Sequence, residues 1–574
     1  MKRKFLTTLF VIVSVTLSAF AQQTFKPVKQ GSNESEVEPF RISRGKSFSL
    51  STAKKVSNDS FTEANRTIKQ DRIKEDFSEA LNIIRNNYVD AKRIDYNELT
   101  KSSLTAMLRT LDPHSNFFDK NEFQEMLSDQ RSEYSGIGAS IANYTINEKT
   151  DTYITATYPE SPAFRAGLRF GDKIVSVNGE QTAEKNSADV REKIRGAKGT
   201  IVRLLIEKAD TNRQVSVEIR RNLVPQPSIP DAYMLRQGVG YIALTGGFNY
   251  TTSDEMDVAL SELHKQGMTS LVLDLRDNPG GIVEQAVKVA EKFLPYGQPI
   301  LTQRGRFEID NRTWKSSDRN PETLPLVVLV DGGTASASEI VSGALQDYDR
   351  ALIVGENTFG KGLVQSVITL PTGAGLTLTT AKYYTPSGRL IQRDYEHGNL
   401  YDYYRNTEKV ADKRNASKTL TGRTVYGGNG ITPDEVVKNP VIADSQLDFL
   451  DAMFFFTREI ANGKINGFEN YAVGKQIQFG HRVRPSDFPV TAQFINAFQK
   501  YIANNQSWKH LNFQNEANKK FIATRLRFNL ATAAFGNVAS DQVLIENDMQ
   551  AAKAVETLPR AETLALTARK KLNQ

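Results

Sequence analysis

TASASEIVSGALQDYDRALIVGENTFGK, residues 334–361, is the stretch on which the reading of the chain turns. Ahead of it lies the apolar run 324–330, short and rich in β-branched residues, which predicts a buried strand. Asp331-Gly332-Gly333 turn the chain. Ile340, Val341, Ala344 and Leu345 then fall at helical spacing within 339–348. A second apolar run, 351–354, ends at Gly355 and leads into Thr358-Phe359-Gly360-Lys361-Gly362. A serine therefore sits where a strand gives way to a helix, and a lysine between two glycines follows 25 residues later. The N–H groups that open a helix lack intrahelical acceptors, and with the helix dipole they favour negative charge, such as a tetrahedral oxyanion. A serine hydroxyl still needs a base. Lysine serves only when burial or a cationic neighbour lowers its pKa enough to leave it neutral. Lys361, beside Phe359, Leu363 and Val364, is placed for that role. The plainer alternative makes Ser336 and Ser338 helix caps and puts Lys361 in a solvated loop.

The 574 residues imply several domains, and 39% hydrophobic with 24% charged content is that of an ordinary globular chain. Three of the seven net positive charges are Lys2, Arg3 and Lys4 near the start; the +4 left is too small to argue for nucleic acid. Residues 1–21 read as a secretory signal: a basic start, an apolar core over 5–17, and Ala19-Phe20-Ala21 as the cleavage site. That core is shorter than the ~20 residues of a spanning helix, so an uncleaved anchor is the lesser alternative. There is no cysteine, which excludes disulfides, a thiol nucleophile and lipidation at an N-terminal cysteine. An exported, cysteine-free chain fits a bacterial periplasm.

Thr334-Ala335-Ser336-Ala337-Ser338-Glu339 and Phe359-Gly360-Lys361-Gly362 resemble the SASASE and FGKG motifs of the carboxyl-terminal processing peptidases, or tail-specific proteases. These are Ser–Lys serine proteases with an inserted PDZ domain. The resemblance implies that Ser336 is the nucleophile, that Lys361 is its base, and that Gln365 orients the lysine. Thr334 replaces the first serine of the family pattern, which leaves the nucleophile untouched. Arg276-Asp277-Asn278-Pro279-Gly280-Gly281 resembles the family's DLRNNPGG, a glycine-rich turn that lines the oxyanion hole. Asp277 stands where the family has its first asparagine, so the local electrostatics differ. By resemblance the oxyanion donors are the N–H groups of Ala337 and of one of the two glycines, with Gly280 favoured over Gly281. The fold implied is α+β and multidomain: an N-terminal helical segment, a PDZ domain, an α/β protease core of the ClpP/crotonase-like type, and a C-terminal helical domain. No cofactor is implied, and no metal motif such as HExxH is present.

In order, 22–67 is polar and reads as a flexible leader. The segment 68–131 is helical in pattern, with Phe77, Leu81, Ile84 and Tyr88 on one face and Leu99, Leu104, Met107 and Leu108 on another. Leu111-Asp112-Pro113-His114-Ser115 breaks it and resembles the family's LDPHS; a hydrogen-bonding role at the turn is expected of His114. Residues 133–223 read as the PDZ domain, on Gly136-Ile137-Gly138 and on AGLRFGDKIVSVNG at 166–179. PDZ modules capture chain ends by strand addition. The loop Tyr134, Ser135, Gly136, Ile137 and Gly138 would hold the terminal carboxylate; a simple turn is the alternative. Pro225 to Pro230 reads as a hinge. The core spans 226–440, with 68–131 packed on it. Within it, strands are expected at 239–244, 270–275, 364–370 and 376–383, and helices at 253–266 and 282–293. A polar, tyrosine-rich insertion spans 393–426, and Gly430-Ile431-Thr432-Pro433-Asp434 resembles the family's closing GIxPD. Residues 441–574 are helical in pattern, with starts expected near Asp444, Ser486, Asn515 and Asp541. Packing on the core, an oligomer contact and an adaptor site are the roles open to them.

The function expected is a periplasmic serine endopeptidase whose PDZ domain takes C-terminal tails as partners, with an adaptor or a second copy as further partners. A non-catalytic PDZ scaffold on a protease fold is the rival. A Ser–His hydrolase is a third reading, on five histidines of which none lies in a recognisable motif. Because the PDZ is tethered at both ends, it is expected to swing between two hinges and gate the serine.

Overall fold

The computed structural model describes residues 70–395, 403–404, 415–474, 476–511, 513 and 515–574. The expected signal, the leader and much of the tyrosine-rich insertion lie outside these residues. The chain divides into two compact units. The smaller, 18–107, contributes the helix Gln70–Asn87 and most of the helix Tyr96–Arg109. On the first helix Ile73, Phe77, Leu81 and Ile84 follow helical spacing and are exposed.

The larger unit is built on a six-stranded sheet in the order Asp231–Arg236, Val239–Ala243, Ser270–Asp274, Leu326–Val330, Leu352–Gly355, Glu435–Val436. Only the first pair is antiparallel. Parallel strands are covered on both faces, which is why these read as unbroken apolar runs. Alternate residues divide between two cores. Leu271, Leu273, Leu326, Val328 and Val330 face the helices Thr252–Lys265, Val283–Glu291 and Ala337–Asp347. Val272, Val327, Leu329 and Val354 face the last helix, Met549–Leu572, which presents Ala551, Ala554, Val555, Leu558 and Ala561. Ser270–Asp274 and Leu326–Val330 are parallel neighbours. The turns at their carboxyl ends, 276–281 and 331–336, therefore lie side by side, at the edge where open α/β sheets bind ligands. A second sheet of five strands, among them Leu363–Thr369 and Gly375–Tyr384, carries the segment after Lys361.

The insert has its own sheet, in the order Ala139–Ile146, Lys149–Thr157, Lys173–Val177, Ile201–Glu207, Gln214–Arg220, and its own apolar core around Ile154, Leu168, Ile174, Val190, Val202 and Leu204. Its two tethers are not separate hinges. Glu133–Gly136 pairs antiparallel with Asn222–Pro225, and the Gln226 N–H closes the ribbon on Ser132 O at 2.7 Å.

The C-terminal helices begin at Asp444, Leu450, Ala492, Glu516, Asn537 and Met549. Two expected starts shift. Ser486 is followed by Pro489, and the cap is Thr491, which accepts from Phe494 N–H. Asp541 lies inside Asn537–Ile545, and the capping side chain is Asp548, on Gln550 and Ala551 N–H. These helices pack on the insert as well as on the core. Tyr144 stacks on Phe454 with ring centroids 3.6 Å apart, and Tyr153 and Phe170 join the same cluster.

Candidate active site

Ser336 sits at the head of the helix Ala337–Asp347 with φ 56°, a value that favours glycine and that a serine holds only under constraint. The constraint is Glu339, three residues on. Its buried carboxylate accepts from Ser336 N–H at 2.8 Å, Lys361 N–H at 2.9 Å, Gly360 N–H at 2.8 Å and the Thr358 hydroxyl. One carboxylate thus fixes the backbone of both residues. Burial raises its pKa, opposed by these four donors. The Tyr383 hydroxyl adds a second brace, 3.0 Å from Ser336 O and 2.8 Å from Lys361 O, with its one proton shared between them. Thr358 Oγ1 also receives Ile431 N–H at 2.7 Å, which ties in the closing Gly430–Asp434 segment.

Lys361 is pushed down to about 8 by burial, against the opposing charges of Asp112 and Glu339. A lysine so placed is partly neutral near neutral pH. Ser336 Oγ and Lys361 Nζ make no direct hydrogen bond in this arrangement; what joins them is Glu339 and Tyr383. Gln365 lies on the strand Leu363–Thr369, and its amide donates to Thr379 Oγ1 at 3.1 Å. His114 is held by Tyr403, with Nε2 2.6 Å from the hydroxyl. Burial first, and then Lys361, lower it to about 3, so it is neutral at any ordinary pH. Among the described residues no histidine ring bonds Ser336: His264 meets Glu322 and His481 meets Asp487.

The glycine-rich turn is stitched to the serine turn by Asn278. Its carbonyl accepts from Ala335 N–H at 2.9 Å and from Ser338 Oγ at 3.0 Å. Its side chain, wholly buried, donates to Leu244 O and accepts from Gly280 N–H at 2.9 Å. Gly280 has φ 97°, and a Cβ there would fall 2.7 Å from Ser336 Cβ and 2.8 Å from Ala337 N. The two expected oxyanion residues are therefore brought together. Ala337 opens its helix, so its N–H has no intrahelical acceptor. The Gly280 N–H, by contrast, is engaged by Asn278. Arg276 anchors the turn from below through Asp274, Asp548 and Gln550. Asp277, at φ 55°, donates its N–H to Asp331. Burial and then the Asp277 charge push Asp331 up to about 6.

In the insert, Ser135 Oγ donates to Gly196 O, and Ile137 is buried in the insert's core. Gly138, at φ 74°, approaches so closely that a Cβ would meet Ser161 Cβ at 2.3 Å. The Tyr134 ring lies under the Arg195 guanidinium at 5.4 Å, and at Gly136 a Cβ would meet that ring at 2.8 Å. Glu339, Tyr383 and Asn278 carried no role in the sequence reading. The Ser-x-x-Glu spacing at 336–339, a capping-box signature, is a local signal from which one of Glu339's four bonds could have been read.

Residues 238–400 match the model of peptidase family S41, and residues 153–208 match a PDZ domain. A carboxy-terminal-processing protease of Bartonella bacilliformis is 34% identical over 322 residues, which span 55% of this chain and 72% of that protein. The carboxy-terminal processing protease CtpB of Bacillus subtilis is 33% identical, over 56% of this chain and 66% of that one. A carboxyl-terminal-processing protease of Synechocystis is 34% identical, over 64% and 77%. Among solved structures, a photosystem II D1 C-terminal processing protease is 28% identical, over 62% of this chain and 86% of that one, with a TM-score of 0.33. The chain belongs to peptidase family S41, as a serine-type endopeptidase of the carboxyl-terminal processing protease group that carries a PDZ domain.

Proposed function

We propose that this peptidase cleaves exported proteins in the periplasm with a Ser336–Lys361 dyad, and that its PDZ domain selects them by their C-terminal tails. The observation that carries the reading is that Glu339 holds the N–H of Ser336 and of Lys361 at once, beside a lysine lowered to about 8. Ser336 Oγ attacks the peptide carbonyl while its proton passes to Lys361 Nζ. The lysine returns that proton to the departing amine, leaving an ester on Ser336. A water molecule then gives a proton to the same lysine and attacks the ester, and the lysine passes that proton to the departing Ser336 Oγ, which frees the serine and releases the carboxylic acid. The two side chains close on each other when substrate is bound; hydrogen bonds of this kind are commonly long without it. Gln365 supports the lysine from the adjoining strand. Ala337 N–H receives the oxyanion, together with Gly280 N–H, which must share or exchange its bond to Asn278. The catalytic core is 226–440, of the ClpP/crotonase-like type, with the PDZ domain at 133–223 and the helical domain at 441–574. Export follows from the signal at 1–21.

The test is mass spectrometry of a protein substrate with a free C-terminal tail. Ser336→Ala and Lys361→Arg are both expected to abolish cleavage in a folded chain, since guanidinium stays protonated. A serine-directed reagent is expected to label Ser336 alone. Turnover by the arginine variant, or labelling at Ser338, overturns the dyad.

A further inference from the structure

A cavity of about 310 Å³ lies between the PDZ domain and the C-terminal helices. One wall is the PDZ's own: the strand Ala139–Ile146, the end of the helix Ser187–Ile194, and the Tyr134–Gly138 loop. The facing wall is not part of the PDZ. It is built from Leu450, Met453, Arg525, Phe528, Asn529 and Thr532 of two C-terminal helices.

Three observations say what this space takes. First, Ala139–Ile146 is an edge strand. Its ladder alternation turns the N–H groups of Ile141, Asn143 and Thr145 to the unpaired side. A strand edge of this kind takes another chain by strand addition. Second, that edge is stopped partway. Thr145 N–H is already bound to Asp451 Oδ1 at 3.2 Å, and Asn147 N–H to Ser507 Oγ at 2.8 Å, both from the C-terminal domain. Third, the lining is mainly apolar but carries three guanidinium groups, Arg191, Arg195 and Arg525, and no carboxylate. Nε of Arg191 is buried and makes no hydrogen bond, with the Glu192 carboxylate 3.5 Å away as its ion-pair partner. Arg195 stands over Tyr134, at the loop end of the groove.

We propose that the C-terminal helical domain is the outer wall and end stop of the tail site, so that the site holds only a short, free C-terminus with an apolar last side chain. This rests on the tail-binding reading above. The carboxylate lies at the Tyr134–Gly138 end, beside Arg195. The tail backbone pairs with Ile141 and Asn143, and the last side chain fills the space in front of Phe528 and Thr532. At about 3.3 Å per residue, the open edge from Ala139 to Asn143 accommodates about four tail residues. Beyond that, Asp451 and Ser507 already occupy the donors, and the tail must leave the groove. The C-terminal domain therefore sets which tails are read and over what length.

The experiment uses the full chain carrying Ser336→Ala, which cannot consume its ligand. Fluorescent peptides with tails of four, six and eight residues on a serine spacer, ending in Ala, Val, Leu or Phe, are titrated as free acids and as amides. Affinity for the acids is expected to saturate at four residues. Asn529→Trp, which fills the cavity from the C-terminal side at a partly exposed position, is expected to weaken tails ending in Leu or Phe by about tenfold while sparing those ending in Ala. Affinity that keeps rising through eight residues, or an Asn529→Trp protein of unchanged thermal stability that binds every tail as before, overturns the proposal. Equal binding of acids and amides by the parent would instead remove the tail reading itself. Acid-dependent binding that ignores the wall would remove only this inference.

Discussion

If neutral Lys361 is the base, activity must follow its deprotonation. Its pKa of about 8 makes about one tenth of the molecules competent at pH 7 and about one half at pH 8. Log kcat/KM therefore rises by about one for each pH unit below 8 and levels off above it. His114, at about 3, is neutral throughout this range and adds no limb of its own. The informative perturbation is Asp112→Asn. The Asp112 charge favours the protonated lysine and so raises its pKa. Removing the charge lowers the lysine's pKa further, shifts the midpoint to lower pH, and increases the rate near pH 6.5 with little change in the plateau. Asparagine still offers the oxygen that receives the backbone N–H groups of His114 and Ser115, each at 2.8 Å, while the bond that the Ser115 hydroxyl donates to the second oxygen must reverse, with the amide donating to Ser115 Oγ. The assay is the initial rate on a quenched peptide from pH 5.5 to 9.5 at constant ionic strength, because salt screens the charge being tested. A flat profile between pH 6 and 9, or a midpoint that moves upward in Asp112→Asn, refutes the reasoning.

Glu339 is an acceptor-only group facing four donors, two on each oxygen, so Glu339→Gln turns an amide N–H2 toward two of them; a loss of about 1–3 kcal/mol in chemical denaturation and a lower kcat are expected. Unchanged kcat would show that the serine and lysine segments do not depend on this carboxylate. Gly280→Ala places a methyl 2.7 Å from Ser336 Cβ at a backbone angle that favours glycine, so labelling of Ser336 should disappear even where the far-ultraviolet spectrum is retained. Removing 134–222 and bridging the gap with a short linker tests gating: turnover of a small unstructured peptide should change, and equal rates in a folded deletion variant would leave the PDZ as a tether only.

The strand, turn and helix around Ser336 were legible because each has a local signature: an apolar run at 324–330, Asp-Gly-Gly, then apolar residues at helical spacing. The same holds for the glycine-rich turn after Ser270–Asp274. What holds the two turns together was not legible. Three of the bonds to Glu339 come from 358–361 and the bridging carbonyl contacts come from Tyr383 and Asn278, all remote in sequence. A periodicity reads one segment at a time and is silent on such pairs. The helix starts near 486 and 541 failed for a related reason, since an acid or serine is a cap only if the residues after it are free to turn. Tyr144, Tyr153 and Phe454 are apolar in any pattern, but nothing local says that two domains share them.

The paired tethers have a consequence for how the chain assembles. Glu133–Gly136 and Asn222–Pro225 leave and re-enter the core as neighbours, so the PDZ domain is topologically a decorated hairpin. An unstructured insert of about ninety residues would oppose the meeting of residues 132 and 226 by its loop-closure entropy, which grows with length. A folded insert has already brought its own ends to ladder spacing. The PDZ strands pair over short sequence separations, and contacts of that kind form early. Once they have formed, the core is completed as though the intervening residues were a tight turn. A domain mounted this way adds residues without lengthening the loop that the core itself must close, except where the C-terminal helices must also be matched to it.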